Sequence, residues 1–229
     1  MTEKEKKKQQ RKAYIDKIAA MSGRDKWQFF KDYCLKGTLC LIAALLILAG
    51  LCRDVWLGKR DCAFYALVIN NHSSIPDTFR NDFISYSGLD ERKYNIIIDS
   101  TMQMDLSRMD TMTVNNMQQI IALSSARMQD IFLADAQVIE YYWDAGYIVD
   151  IRDVLSENFL RPHEDRFYYL TDPDGNAVPV GIDVSGSPIL EQNNMYVNQK
   201  PTVSVVYQAA NPESIEKFIS FLYETEISG

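Results

Sequence analysis

The feature that constrains this chain most is an apolar run, residues 37–52, that contains no charged side chain. The run extends back to residue 34 with Lys36 as its one interruption, which makes 19 residues in all. At about 1.5 Å per helical residue this is about 28 Å, close to the hydrocarbon thickness of a bilayer. The sequence therefore predicts a single transmembrane helix over residues 34–56. The aromatic side chains that flank it, as interfacial anchors do, are Trp27, Phe29, Phe30, Tyr33 and Trp56.

Two other interpretations of this run are weaker. A buried helix of a water-soluble domain normally keeps a polar face, which this run lacks. A cleaved signal peptide has a short leader and a small-x-small cleavage site, whereas 36 residues precede the run and no such site follows it. A lipoprotein signal needs a small residue before its modified cysteine, and Leu51 stands before Cys52. We therefore favour an uncleaved anchor.

Charge is distributed unequally on the two sides of the run. Residues 1–36 contain eleven Lys or Arg and five Asp or Glu, whereas residues 37–229 contain 13 and 26 respectively. Basic segments stay on the cytoplasmic side of a membrane. We therefore expect a single-pass cell-membrane protein with its N-terminus in the cytoplasm and its larger C-terminal part outside.

Two further segments flank the apolar run, a basic leader before it and a short polar linker after it. Residues 1–33 are predicted to be a cytoplasmic basic helical segment, because Tyr14, Ile15 and Ile18 recur at helical spacing. Its charge either attracts the anionic lipid bilayer or only sets the topology, and both interpretations stay open. Nucleic acid is not an expected partner of so short a run. The remaining segments are the transmembrane helix 34–56, a linker 57–63 and an extracellular domain 64–229.

Apolar runs with branched side chains alternate with helical patterns in the outer domain. Residues 64–69, 94–99, 130–133 and 202–207 are predicted strands, and helical patterns lie between and after them. This alternation predicts an α/β fold, a sandwich with a mainly parallel sheet that is covered on both faces. The domain has no cysteine after Cys62, so its own core must hold it together.

Two local features carry further predictions. The stretch 167–182 is predicted to be a hairpin, with Pro, Asp, Gly and Asn at its turn, and Pro179 favours an edge strand for the strand that contains it. A helix is predicted over 114–128. The side chains predicted to form its buried stripe are Val114, Met117, Ile121, Ser124 and Met128.

Three stretches of the outer domain, taken in order, resemble the extracellular solute-binding proteins of bacterial ABC transporters. The first is 126–135 followed by 141–151, in which Asp-Ile-Phe precedes a short helix, a glycine and a hydrophobic-Asp step. The second is 177–185, similar to the strand that leaves the first lobe of that family. The third is 205–222, similar to its returning strand and helix. The resemblance implies the type 2 periplasmic-binding fold, nearest the sugar-binding group.

One departure from that family decides the expected architecture. The family inserts a second lobe where this chain has about 16 residues between Ser185 and Thr202. The chain is therefore expected to form one lobe without its partner. The resemblance implies a membrane-anchored domain that binds or presents a sugar-like solute, or assists an ABC transporter permease or other envelope protein. It also implies a bacterial source, and a tether to a single membrane favours a Gram-positive one.

A half-cleft buries less of a small solute than a closed cleft between two lobes does. The alternative function is therefore a protein-interaction or scaffold module of a membrane assembly, built on a solute-binding lobe that has lost ligand binding. This alternative predicts an exposed apolar patch where the second lobe would have docked.

Polar side chains follow the predicted strands at their carboxyl ends, where open α/β sheets bind ligands. They have the chemistry to hydrogen-bond the hydroxyl groups of a sugar, although ordinary turns and caps use the same residue types. Asp135 is also positioned to cap the helix that follows it. The nine candidate ligand-binding residues are Asn70, Asn71, His72, Ser73, Asp99, Ser100, Asp135, Asp183 and Ser185.

The sequence contains no pattern typical of an enzyme. Neither His72 nor His163 has a cysteine or carboxylate at metal-ligand spacing, and no Gly-rich phosphate loop or nucleophile elbow is present. Residues 172–175 resemble the start of a calcium loop, but the twelve-residue ligand pattern does not continue. We therefore expect a binding protein without catalytic residues, cofactor or metal.

We predict that protease added to intact cells degrades the C-terminal domain and spares the N-terminal leader, because the basic leader is retained inside. Immunoblotting of the full chain with a tag at each terminus measures this, and lysed cells serve as the control. A C-terminal tag that survives in intact cells and is lost after lysis would show that the orientation is reversed.

Overall fold

The computed structural model describes residues 3–29, 31, 39, 41–43, 45–50, 60–73, 75–197 and 199–224. The chain divides into two units, residues 1–59 and 60–229. In the described part of the leader, α1 is Glu3–Ala19 and α2 is Gly23–Phe29.

The predicted transmembrane helix, 34–56, lies largely outside the described residues. Within it, residues 39, 41–43 and 45–50 are described, and these are helical. Among the residues that the structure describes, no helix combines the length and the apolar character needed to cross a membrane.

The second unit alternates strands with helices, as predicted. Its strands are β1 (Asp61–Ile69), β2 (Tyr94–Met102), β3 (Ile131–Ala134), β4 (Phe167–Thr171), β5 (Ala177–Asp183) and β6 (Thr202–Val205). Its helices are α3 (Asp77–Ser87), α4 (Thr111–Ser125), α5 (Ala136–Asp144), α6 (Glu157–Leu160), α7 (Pro188–Gln192) and α8 (Pro212–Leu222). Two 3₁₀ helices, Ile151–Asp153 and Arg161–Arg166, lie on either side of α6. Because β1 begins at Asp61, the end of the predicted linker belongs to the first strand.

The six strands form one sheet in the order β2-β1-β3-β6-β5-β4. β1 pairs in parallel with β2 and β3, whereas the pairs β3–β6, β6–β5 and β5–β4 are antiparallel. Four strands, β1, β2, β3 and β5, consequently run in one direction. The predicted α/β lobe is confirmed, and its sheet is mixed because β6 returns between β3 and β5.

β1 is the strand around which both layers of the domain pack. Its side chains alternate between two buried clusters, one on each face of the sheet. On one face Phe64 contacts Phe83 of α3 and Phe218 of α8, with ring centroids 5.0 Å apart in both pairs. On the other face Phe132 of β3 packs against Tyr142 of α5 at 5.1 Å. Helices therefore cover both faces, as predicted.

A buried carboxylate joins the strands at their amino edge. Asp130, which directly precedes β3, is 3% exposed. It accepts the backbone N–H groups of Tyr65, Ala210 and Asn211 at 2.9, 3.1 and 3.3 Å. Burial raises the pKa of Asp130 above its usual range, although these N–H donors favour the ionised form.

Pro179 lies in an interior strand, so its predicted position at a sheet edge is wrong. β5 pairs with β4 on one side and with β6 on the other. The pairing with β6 covers only residues 181–183, so Pro179 lies beyond it and its missing N–H group removes no bond to β6. On the other side the register shifts between Tyr168 and Tyr169, next to the proline.

α4 buries a different stripe from the predicted one. Thr113 and Ile120 are fully buried, whereas Val114 and Ile121, which were expected inside, are 36% and 40% exposed. Met117, which was predicted to be buried, is 8% exposed, so it belongs to both stripes and the buried face is rotated by less than the roughly 100° that one residue spans. Asp110 caps the helix, because its side chain accepts the N–H of Thr113, and the helix therefore starts at Thr111, before the predicted start at residue 114.

β5 and β6 approach each other so closely that one position accepts only glycine. Gly181 lies opposite Ser204. A Cβ atom at position 181 would lie 2.6 Å from the Ser204 Oγ atom and 2.7 Å from the backbone oxygen of Val203. Because Cβ atoms do not approach other atoms this closely, the missing side chain is what permits the pairing.

We predict that Gly181→Ala lowers the free energy of unfolding by about 1–3 kcal/mol, because the two strands must separate to admit the methyl group. Gly186→Ala is the matched control, since a Cβ atom there meets nothing within 4 Å. Urea unfolding of the full-length variants in detergent, followed by circular dichroism, measures the difference. Equal stability of the two variants would contradict the close approach.

Candidate functional site

The carboxyl ends of β1, β2, β3 and β5 meet at one edge of the sheet. Asn70 directly follows β1 and has a left-handed backbone conformation, with φ at 61°. Its side-chain amide group donates to the Asp135 carboxylate at 2.8 Å, and its side-chain oxygen accepts the N–H of Met104 at 2.7 Å. Since Met104 follows β2 and Asp135 follows β3, one side chain joins the ends of three strands.

Asp135 is engaged on both of its oxygens. Oδ1 accepts the N–H of Val138 at 3.1 Å and so caps α5, which confirms the predicted capping role. The second oxygen accepts the hydrogen bond from Asn70. This carboxylate therefore holds the edge of the sheet together.

Asn71 is the most deeply buried of the nine predicted residues, with 5% of its surface exposed. Its side-chain amide group donates to the backbone oxygen of Ser73 at 2.6 Å, and its backbone oxygen accepts from the Gln103 side chain at 3.0 Å. The bond to Ser73 identifies the side-chain nitrogen, so Oδ1 is the remaining acceptor. That oxygen is buried and has no hydrogen-bond partner in the described part of the chain.

The segment between β5 and β6 is described over residues 184–197 and 199–201, and it stands where the resemblance would place a second lobe. It forms α7 and then folds across the carboxyl edge of the sheet. The backbone oxygen of Met195 accepts the N–H of His72 at 2.7 Å, and that of Asn193 accepts the Ser73 hydroxyl at 2.6 Å. We call this segment the edge strap, because it covers part of the edge that a second lobe would face.

Tyr196 anchors the edge strap. Its hydroxyl lies 2.7 Å from the backbone oxygen of Ile69 and 2.8 Å from that of Leu133, at the ends of β1 and β3. Burial raises the pKa of Tyr196 well above its usual range, and the nearby Asp135 carboxylate adds to this effect. The hydroxyl is therefore neutral, and its single proton is shared between these two carbonyl oxygens.

An open cleft of about 470 Å³ lies at this edge. Its size falls in the range of about 300–1,000 Å³ typical of small-ligand pockets. We call it the carboxyl-edge cleft. The described residues that line it are Asn70, Asn71, His72, Gln103, Met104 and Gln199. The structure thus brings three of the nine predicted residues together, with three others.

Gln199 brings the edge strap into the lining of the cleft. Its Oε1 atom is buried and, like the Asn71 Oδ1 atom, has no hydrogen-bond partner among the described residues. A buried polar atom left unpaired costs about 1–3 kcal/mol. Asn71 and Gln199 both line the cleft, so two unpaired buried acceptors belong to its lining residues.

Four of the six described residues that line the cleft carry neutral amide side chains. His72 is exposed, and it is the single titratable side chain among the six described lining residues. Elsewhere in the described part of the chain, no group of three or more His, Cys, Asp or Glu is arranged to hold a metal ion. The arrangement can therefore hydrogen-bond an uncharged polar molecule.

Asp99 and Ser100 do not follow a strand, so their predicted position is wrong. β2 continues to Met102, beyond the predicted end at residue 99. The Asp99 Oδ1 atom accepts both the N–H and the hydroxyl of Thr101, at 2.9 and 2.7 Å. Burial, together with this carboxylate, raises the pKa of Tyr65 to about 12. Asp99 therefore stabilises the edge strand β2.

Asp183 and Ser185 close the turn after β5. The Asp183 Oδ1 atom accepts the N–H and the hydroxyl of Ser185, at 2.8 and 2.6 Å. The Tyr223 hydroxyl donates to the backbone oxygen of Asp183 at 2.8 Å, and the Arg166 guanidinium lies 4.4 Å above the Tyr223 ring. The predicted residues outside the described cleft lining are Ser73, Asp99, Ser100, Asp135, Asp183 and Ser185.

Sequence reasoning missed Gln103, Met104 and Gln199. Gln103 and Met104 directly follow β2, so the strand-end rule identifies them once the strand is extended to Met102. No local signal marks Gln199, which reaches the cleft only because the edge strap folds across the sheet.

No protein-family model, no curated protein and no solved structure matches this chain. The resemblance to solute-binding proteins therefore stays a prediction. The fold and the geometry of the cleft are the observations from which a function is proposed.

We predict that Asn70→Asp lowers the free energy of unfolding by about 2 kcal/mol near neutral pH, because it places a second carboxylate against Asp135. One of two adjacent carboxylates then has a raised pKa in the folded protein. The loss is therefore present above that pKa and disappears as the pH falls into mild acid. Urea unfolding at both pH values measures this.

Asn176→Asp is the matched control for this substitution. Asn176 donates to Asp172 at 3.0 Å in the same way, but in an exposed turn. Solvent screens the new repulsion there, so the expected loss is a few tenths of a kcal/mol. Equal losses in the two variants would contradict the role assigned to the bond between Asn70 and Asp135.

Proposed function

We propose that this chain is a single-pass protein of a bacterial cell membrane whose outer α/β domain binds a small polar solute. The observation that carries the proposal is the carboxyl-edge cleft. It lies past the carboxyl ends of β1 and β2, where open α/β sheets bind their ligands, and amide side chains line it. Such a domain captures or presents a sugar-like solute, alone or for an ABC transporter permease or other envelope protein.

The apolar run supports the membrane anchor. Leu45, Leu46, Ile47 and Leu48 are helical and between 56% and 69% exposed. Four consecutive residues cover the circumference of a helix at about 3.6 residues per turn, so no side of this stretch is polar. Lipid, rather than water, is the solvent that such a surface prefers. The basic leader supports a cytoplasmic N-terminus.

The cleft lining favours binding over catalysis. General acid–base catalysis uses titratable side chains placed within reach of the reacting atoms. His72 is the single titratable side chain in the described lining, and no second group is there to act as its partner. The amides of Asn71, Gln103 and Gln199 are instead suited to uncharged polar atoms.

A protein-interaction module is the second candidate function, and exposed methionines favour it. Met109 and Met112 lie where β2 leads into α4, near the carboxyl edge, and they are 47% and 54% exposed. Methionine is common at adaptable protein-binding surfaces because its side chain is flexible and polarizable. In this version the edge strap fills the edge of the sheet, and the domain acts as a scaffold of a membrane assembly.

We predict that the full-length protein, in a detergent without a sugar headgroup, gives saturable heats of binding with at least one member of a panel of sugars and polyols. His72→Trp is expected to weaken that binding at least tenfold, because the exposed ring fills the cleft without entering the core. Gln119→Trp, on the exposed side of α4, is the matched control. The absence of saturable binding across the panel would refute solute binding and leave the protein-interaction function.

A further inference from the structure

We propose that the solute of the carboxyl-edge cleft is small, uncharged and rich in hydrogen-bond donors, as a short linear polyol is. The inference rests on the proposed solute-binding function and names the chemical class of the solute. Two buried amide oxygens carry it, Asn71 Oδ1 and Gln199 Oε1, neither of which has a partner in the described part of the chain.

The Asn71 oxygen is held in a defined place. Asn71 is 5% exposed, and its side-chain nitrogen donates to the backbone oxygen of Ser73 at 2.6 Å. The backbone oxygen of Asn71 accepts a hydrogen bond from the Gln103 side chain at 3.0 Å. Turning the amide toward another partner would break the bond to Ser73. The oxygen therefore remains an unpaired acceptor of a residue that lines the cleft.

The Gln199 oxygen reaches the cleft from a separate element. Asn71 follows β1, whereas Gln199 belongs to the edge strap that precedes β6. Both oxygens are sealed from solvent, so in this inference the side chain of Gln199, which lies on a loop, swings aside as a solute enters. A molecule with two donor groups then satisfies both oxygens, which a molecule with a single donor cannot do.

Charge narrows the class of solute. The described lining contains no carboxylate, ammonium or guanidinium group. A charged solute would therefore lose hydration without meeting an opposite charge. A molecule that only accepts hydrogen bonds would leave both amide oxygens unpaired.

Ring stacking is the second criterion. The described lining contains no Phe, Tyr or Trp, so a cyclic sugar finds no large aromatic face to pack against and only the imidazole of His72 offers a ring. An open-chain polyol needs no such face, because its hydroxyl groups supply the contacts. Xylitol, which is linear, uncharged and rich in donors, is the probe that fits these requirements.

The test uses Gln199→Met in the full-length protein, in a detergent without a sugar headgroup. Methionine keeps the length of the side chain and removes the acceptor oxygen. Xylitol affinity is expected to fall about 3- to 10-fold, the effect of one lost neutral hydrogen bond. The thermal midpoint without solute is expected to stay the same or rise, because an unpaired buried oxygen has been removed. Gln119→Met on α4 is the matched control and is expected to change neither quantity.

Calorimetry with xylitol, glucose and succinate separates this inference from the function on which it rests. If xylitol binds and Gln199→Met weakens that binding, both the inferred class of solute and the proposed solute-binding function are supported. Tighter binding of glucose or succinate than of xylitol, or xylitol binding that Gln199→Met leaves unchanged, would overturn the donor-rich linear class while solute binding stands. No saturable binding of any solute, here or in the wider panel, would overturn both.

Discussion

The buried carboxylate of Asp130 is the interaction on which the rest of the α/β domain depends. Its side chain receives N–H groups from Tyr65 in β1 and from Ala210 and Asn211 before α8. Its backbone oxygen accepts the N–H of Val206, at the end of β6. A buried charge without these donors would be strongly destabilising. β1, β3, β6 and the last helix therefore assemble together, and their carboxyl edge is positioned as a consequence.

At that carboxyl edge, similar side chains serve two different purposes. Asn70 has both ends of its amide bonded, and it ties three strands together. Asn71, its neighbour, keeps one buried oxygen unpaired, and Gln199 does the same from the edge strap. Asn70 therefore builds the edge, whereas Asn71 and Gln199 each bring an unpaired oxygen to the residues that line the cleft. The edge strap supplies one of these lining residues, Gln199.

The direction of β1 separates the two ends of the domain. The strand begins at Asp61, close to where the domain is joined to the preceding segment, and it ends at Ile69 beside the cleft. Nine residues of strand at about 3.3 Å per residue place these ends about 26 Å apart. The cleft therefore lies at the opposite end of the sheet from Asp61, the first residue of β1.

Local patterns in the sequence determined the six strands, the hairpin at 167–182 and the cap at Asp135, because turn chemistry and side-chain periodicity act over a few residues. They misplaced the end of β2 and the edge position of Pro179, which depend on the neighbouring strands. They also misplaced part of the buried stripe of α4, whose start depends on a cap outside the periodic stretch. Three of the nine candidate residues line the cleft. Only the tertiary structure placed Gln199 in the lining of the cleft. Hydrogen bonds from the edge strap to strands distant in the sequence bring that residue across the sheet.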